Sequence, residues 1–258
     1  DMDKQNGPID PLQKYFFDNP NINITDAIKK IVNERIQPLV SLNLQFVDEN
    51  KDADVRIDFD SDGGSWSLLG TDAKNENPKN ATVNFGWFDV STVMHEFGHV
   101  LGMIHEHQNP KGKTIDWNYD SVYEWAESTQ GWDKEMTKKN ILNRYKSDSI
   151  NGSEFDPLSI MLYFFPANLT NNGVGTHQNL RLSGTDMTFI TKNYGINDPA
   201  KIYKDIYKTN IDLNLEKSKL LLDKFGKAGS RWKPIYTVII VIIVIIAIAI
   251  ILNYFKLF

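Results

Sequence analysis

Residues 95–106 read His95-Glu96-Phe97-Gly98-His99-Val100-Leu101-Gly102-Met103-Ile104-His105-Glu106. Histidines four residues apart on a helix project from one face, a turn apart, so His95 and His99 can reach a single metal ion. Glu96 follows the first histidine directly, where its carboxylate can meet water held at such an ion. Gly102 can end the helix in a left-handed conformation that a Cβ would penalise. The chain then turns, and His105 can return as a third ligand. Three nitrogen donors with one open position are the arrangement of one catalytic zinc rather than a structural one. The competing reading is a solvated helix carrying ordinary polar residues. Composition weighs against it: the 258 residues hold only 5 histidines, and three of them fall within this stretch. His107 has no place in the spacing and is expected behind the ligands or at the surface. His177 has no sequence partner and is expected in solvent.

The extended motif resembles the metzincin clan of zinc proteases, in which the third histidine follows a glycine turn. That clan also carries a methionine-containing turn beneath the metal, matched here by Ser159-Ile160-Met161-Leu162-Tyr163 after Phe155-Asp156-Pro157. With Glu106 directly after the third histidine, the string is most similar to the astacin family. The similarity runs from about residue 20 to about residue 196, and Leu180 to Asp186, leading on to Asn193-Tyr194-Gly195, resembles the family's closing helix. The resemblance implies that His95, His99 and His105 hold zinc and that Glu96 is the general base. It also makes Met161 an apolar floor and Tyr163 a phenol able to ligate the metal at rest and to stabilise an oxyanion. Glu106 would match the glutamate that meets the amino terminus of the mature enzyme. Two features depart from the family pattern. The chain has no cysteine, whereas astacins are usually braced by disulfides, and nothing before residue 20 looks like an inhibitory pro-segment.

Working outward, Thr25 can cap a helix whose apolar residues Ile28, Ile31, Val32, Ile36 and Leu39 recur at helical spacing. Leu42, Leu44 and Phe46 alternate as a strand does, as do Val55, Ile57 and Phe59. Asp62-Gly63-Gly64 reads as a turn before a short strand at 65–69, and 82–87 as another strand. Asp89 or Ser91 then caps the helix bearing His95. The expected fold is α+β: a two-lobed catalytic domain with a mixed twisted sheet and two long helices, then an irregular helical lobe after His105. A peptide substrate lying extended across the cleft needs a free sheet edge, and Asn84-Phe85-Gly86-Trp87 is the candidate. The alternative for that stretch is a strand end with Phe85 and Trp87 in the core.

Lys and Arg number 28 against 33 Asp and Glu, a net charge of −5, so no basic field covers the core and nucleic acid is not an expected partner. Residues 235–252 are uncharged and almost wholly aliphatic. As a helix they span about 27 Å, enough to cross a bilayer. Trp232, Tyr236 and Tyr254 lie near the ends of this run, where aromatic rings favour the membrane interface. The expected organisation is an amino-terminal extension (1–19), a catalytic domain (20–198), a stalk (199–233), a transmembrane helix (234–254) and a short tail (255–258). Lys224, Lys227, Arg231 and Lys233 precede the apolar run and only Lys256 follows it, which favours a cytosolic catalytic domain on a single-pass, carboxyl-terminal anchor. Absence of cysteine agrees with that side. Four Asn-x-Ser/Thr sequons, at Asn23, Asn80, Asn151 and Asn168, support the luminal or extracellular alternative. The expected function is a membrane-anchored zinc endopeptidase acting on a protein or peptide. The alternative is a catalytically idle, zinc-stabilised adhesion or assembly module.

Overall fold

The computed structural model describes residues 8–47, 53–111, 115–148 and 150–228. Helix α1 (Pro11–Asp18) starts with a proline whose missing N–H costs nothing at a helix start, and Asp10 caps it by accepting from the Leu12 N–H. Helix α2 (Ile24–Ile31) is capped by Asn23 rather than Thr25, the asparagine oxygen accepting from the Thr25 N–H at 2.8 Å. It runs on into a widened π turn (Val32–Ile36) and a 3₁₀ turn containing Pro38. The widened turn brings Arg35 inward to a bidentate pair with the buried carboxylate of Asp10, so the amino-terminal helix is stapled to the body. The expected 1–19 extension is therefore part of the core over α1, which buries Leu12 and Phe16.

The mixed sheet is present but small. Strand β1 (Ile57–Asp58) runs parallel to β3 (Val83–Asn84), and β2 (Trp66–Ser67) runs antiparallel on its other side. The expected strand at Leu42–Phe46 does not form. The Gln37 side chain donates to the Leu42 carbonyl and accepts from the Leu44 N–H, engaging two groups that strand pairing would use. Leu42 and Phe46 stay in solvent.

Two apolar cores follow. The first joins α1, α2, β3 and one face of α3 (Val90–Val100) to α6 (Gly184–Asn193), α7 (Pro199–Tyr207) and the start of α8 (Ile211–Ala228). The second lies after the metal-binding string and is built by α4 (Tyr119–Gln130), the π turn after α5 (Lys134–Thr137), and Phe155, Leu162, Phe165 and Leu169. The two-lobed expectation thus has a physical basis in two separate cores.

The 199–233 segment does not stand off as a stalk over its first residues. Tyr203 is fully buried, Tyr207 and Ile211 nearly so, and the Tyr207 hydroxyl accepts from the Leu182 N–H at 3.1 Å. The Arg181 guanidinium lies 4.7 Å over the Tyr207 ring. The tyrosines join the core and Ile202 and Ile206 pack against it. Among the described residues no helix is long and apolar enough to cross a membrane, and the expected span at 234–254 lies outside them.

Candidate metal centre

Helix α3 carries the first two histidines and turns its other face to the core. Asp89 is its N-cap, accepting from the Thr92 N–H at 2.8 Å, while Val90, Val93, Met94 and Phe97 are buried. The helix ends as the spacing requires: Gly102 takes φ +83° and donates to the His99 carbonyl at 2.8 Å, and Met103 donates to the Gly98 carbonyl at 2.9 Å. That reversal brings His105 back beside His99.

The backbone fixes the tautomers of the helical pair. His95 Nδ1 lies 2.8 Å from the Ile160 carbonyl and His99 Nδ1 lies 2.7 Å from the Met103 carbonyl. A carbonyl only accepts, so each Nδ1 bears the proton and each Nε2 is left with a bare lone pair. Burial holds His99 and His105 below the ordinary imidazole range, and burial together with His99 pushes His95 down to about 3. All three rings are therefore neutral donors at pH 7. One ligand nitrogen from each converges within 4.8 Å, and His99 Nε2 sits only 3.1 Å from His105 Nε2. Tetrahedral zinc with Zn–N bonds of about 2.0–2.1 Å holds its nitrogens about 3.3 Å apart. The donor type and number fit one zinc ion, and the His99–His105 pair already stands near its spacing.

Glu96 is 5% exposed, and its Oε2 has no hydrogen-bond partner among the described residues. Burial raises its carboxyl to about 8. A carboxylate this deep without a partner is costly unless something polar or charged meets it. Tyr163 leans over the site, with ring centroids 5.7 Å from His95 and 4.3 Å from His105. Burial, then the nearby Glu96, drives its phenol well above the ordinary tyrosine value, so it stays a hydrogen-bond donor.

Met161 is fully buried beneath α3, its Sδ against Gly98, where an added Cβ would stand 2.5 Å from the sulfur. Its carbonyl accepts from the Glu106 N–H at 2.9 Å, tying the third-ligand segment to the turn. The Glu106 carboxylate does not face the ion site. Its Oε1 accepts from the Asp156 N–H and the Asn109 side chain, and burial raises the carboxyl to about 8. A cavity of about 510 Å³ adjoins Glu106, Asp156 and Asp186.

The proposed substrate edge needs correction. β3 is the central strand of the three, its backbone engaged on both sides at Val83 and Asn84, and Phe85 donates to the Asp58 carbonyl. Asn84 and Phe85 are buried and Gly86 abuts Gly64, so only Trp87 keeps an open face. Reading 82–87 as a strand carries no signal for which strands flank it, and the outer positions belong to β1 and β2.

His107 is buried, donates Nε2–H to the Asn140 carbonyl at 2.9 Å, stacks 5.3 Å from His105 and lies tilted 5.1 Å from Tyr163. Of the two expectations for it, the place behind the ligands is the one observed. His177 is half-exposed, outside the cluster. Two residues escaped the sequence reading. Gly98 is one, although a glycine inside a helix is a sign of close approach. Asp186 is the other. Its carboxylate accepts from Ser159 Oγ at 2.7 Å and from the Ile160 N–H at 2.9 Å, so it holds the turn whose carbonyl orients His95. No local pattern connects residues 26 apart.

Comparison with known proteins agrees with this geometry. A family model described as Astacin, a peptidase family, matches residues 15–194, well over half the chain. Among solved structures, a structure of myroilysin is 34% identical, covers 69% of this chain and 91% of its own, and superposes with a TM-score of 0.61. A second myroilysin crystal structure, also 34% identical, covers 67% and 80% with a TM-score of 0.48. High choriolytic enzyme 1, a hatching-enzyme zinc protease from the medaka fish Oryzias latipes, is 15% identical, covers 67% and 83%, and gives a TM-score of 0.43. A search of curated protein sequences finds no match.

Proposed function

This chain belongs to the astacin family of zinc metalloendopeptidases, and from that premise we propose how its own residues divide the work and where it acts. His95, His99 and His105 hold the zinc, with Ile160 and Met103 orienting the first two rings. Zinc, when bound, supplies positive charge that polarises a peptide carbonyl and brings the ionisation of water towards neutral pH. Glu96 is the general base. Its unpartnered Oε2 takes the proton from the attacking water and returns it to the departing amine. Burial raises its pKa, and the positive charge of a bound metal opposes that rise, so that the carboxylate is ionised to take the first proton. Tyr163, kept protonated by burial, donates to the oxyanion that forms on the scissile carbonyl. The peptide lies extended along the outer side of β2, the strand that packs against α3.

The observation that carries this reading is the convergence of three neutral imidazoles beside a buried carboxylate oxygen with no hydrogen-bond partner among the described residues. Glu96→Gln tests it: zinc content stays at one ion while cleavage of a casein-type substrate disappears. Undiminished cleavage by that variant rules Glu96 out as the base.

Glu106 and its adjoining cavity receive the amino-terminal ammonium of the mature enzyme, as the family resemblance implies. A blocked or extended amino terminus then lowers activity, and an unchanged rate removes the contact. The apolar run 235–252 anchors the enzyme in a bilayer with the catalytic domain on the cytosolic side. Protease protection in sealed membranes tests the topology, since a digestible domain supports the cytosolic face and a protected one the luminal or extracellular face.

A further inference from the structure

Helix α8 lies beyond the residues matched by the family, yet it is wired to the metal centre. Its inner face presents Ile211, Leu215 and Ser218 at spacings of four and three, so a serine stands where packing alone calls for an apolar side chain. Ser218 Oγ donates to Asp156 Oδ1 at 2.6 Å, and Ser183 Oγ donates to Asp156 Oδ2 at 2.6 Å. Ser183 Oγ in turn accepts from the Asp186 N–H at 2.9 Å. Asp186 grips Ser159 and Ile160, and the Ile160 carbonyl holds the His95 ring. A second contact reaches the same knot, Asn214 Oδ1 accepting from the Gly184 N–H at 2.7 Å. Ser218, Asp156, Ser183, Asp186 and Ser159 are all buried, so each of these bonds acts in a low dielectric and is expensive to lose.

We propose that α8 is a positioning element for the zinc site, with Ser218 and Asn214 setting the His95 ring through Asp156, Ser183, Asp186 and the 159–161 turn. The inference rests on the zinc-protease reading above. Removing the Ser218 hydroxyl leaves Asp156 short of a donor beside a second buried carboxylate, and the turn relaxes with it.

The test uses the full chain carrying Ser218→Ala or Asn214→Ala, with Ser218→Thr as the conservative variant and Glu216→Ala, exposed on the same helix, as control. Outer partners of metal ligands typically set affinity or activity by about 10–100-fold, and these residues stand further out, so the expected effect is about 3–10-fold. Zinc release to a chelator becomes faster by that factor, kcat falls with KM unchanged, and the visible spectrum of the cobalt-substituted protein shifts. Ser218→Thr restores most of this and Glu216→Ala changes nothing. A lower melting temperature with wild-type zinc release, cobalt spectrum and kcat overturns the proposal, because α8 then only packs. Should Ser218→Ala fail to fold, Asn214→Ala, at a half-buried contact, decides on the same readouts. A wild-type protein that binds no zinc overturns the function reading as well, and it is recognised before any variant is made.

Discussion

Helix α3 and the 159–163 turn face each other across the metal site and are built by opposite means. The helix spaces His95 and His99 with its own local hydrogen bonds, a cap three residues upstream of Thr92 and a glycine stop. The turn has a few local bonds, Met161 N–H to Ser159 Oγ and Leu162 N–H to the Ser159 carbonyl among them, but takes most of its side-chain support from outside. Asp186 holds Ser159 and Ile160, Asn179 donates to the Pro157 and Ser159 carbonyls, and Thr176 donates to the Tyr163 carbonyl. The spacing of His95 and His99 is thus a property of one helix, whereas the base beneath the ligands depends on residues such as Asp186, 27 positions from Ser159. Changes on the helix should act on the metal itself, and changes around the turn should act on how well it is held.

The largest effect falls on the helix side. His99→Ala removes one of three donors, so zinc binding and peptide cleavage are both lost, by about 10³-fold or more in rate, measured by metal analysis and turnover. On the turn side, Tyr163→Phe keeps zinc but lowers kcat by about 10²–10³-fold, the usual cost of one oxyanion donor. An unchanged rate with that variant ends the comparison at Met161. Asp186→Asn exchanges an acceptor pair for an amide in a fully engaged pocket. Zinc affinity is expected to fall about 10–100-fold while α3 itself persists, which chelator competition and circular dichroism together would show. Gly98→Ala places a Cβ 2.5 Å from Met161 Sδ and wedges the two regions apart. Its expected cost is about 1–3 kcal/mol in unfolding experiments, because Met161 is fully buried and has little room to yield.

Protonation should shape the metal-free protein in a way that separates the same regions. Burial raises Glu96 and Glu106 to about 8, so the folded state binds protons that the unfolded state has released, and stability rises as pH falls from 8 towards 6.5. Below 6.5 the sign reverses. His95, His99, His105 and His107 are held neutral by burial, the unfolded state takes the protons, and stability falls towards pH 4. Melting temperatures of metal-free protein should peak near pH 6.5. A monotonic profile would mean that the imidazoles are hydrated rather than buried.

Legibility in the sequence divides along the same line. The spacing of His95, Glu96, His99, Gly102 and His105 gave the ligand set, the helix and its stop, because each depends on neighbours within a turn or two. Met161 and Tyr163 were reachable only through resemblance to a family, since the Met161 carbonyl is held by the distant Glu106 N–H and the Tyr163 carbonyl by Thr176. The substrate edge was misplaced because the sequence of 82–87 reports a strand but not its neighbours. Leu42–Phe46 had the pattern of a strand and lost it to one glutamine side chain. The tyrosines of α7 looked like part of a stalk because their partners, Arg181 and Leu182, belong to a different element.

The most direct test of the central claim is zinc titration of the stripped enzyme. A chelator should leave a folded protein without proteolytic activity, since both apolar cores are built from residues other than the three ligands, and one equivalent of zinc should restore full cleavage of a peptide substrate. Full activity in the metal-free protein, or a folded protein that takes up zinc and stays inactive, would contradict it.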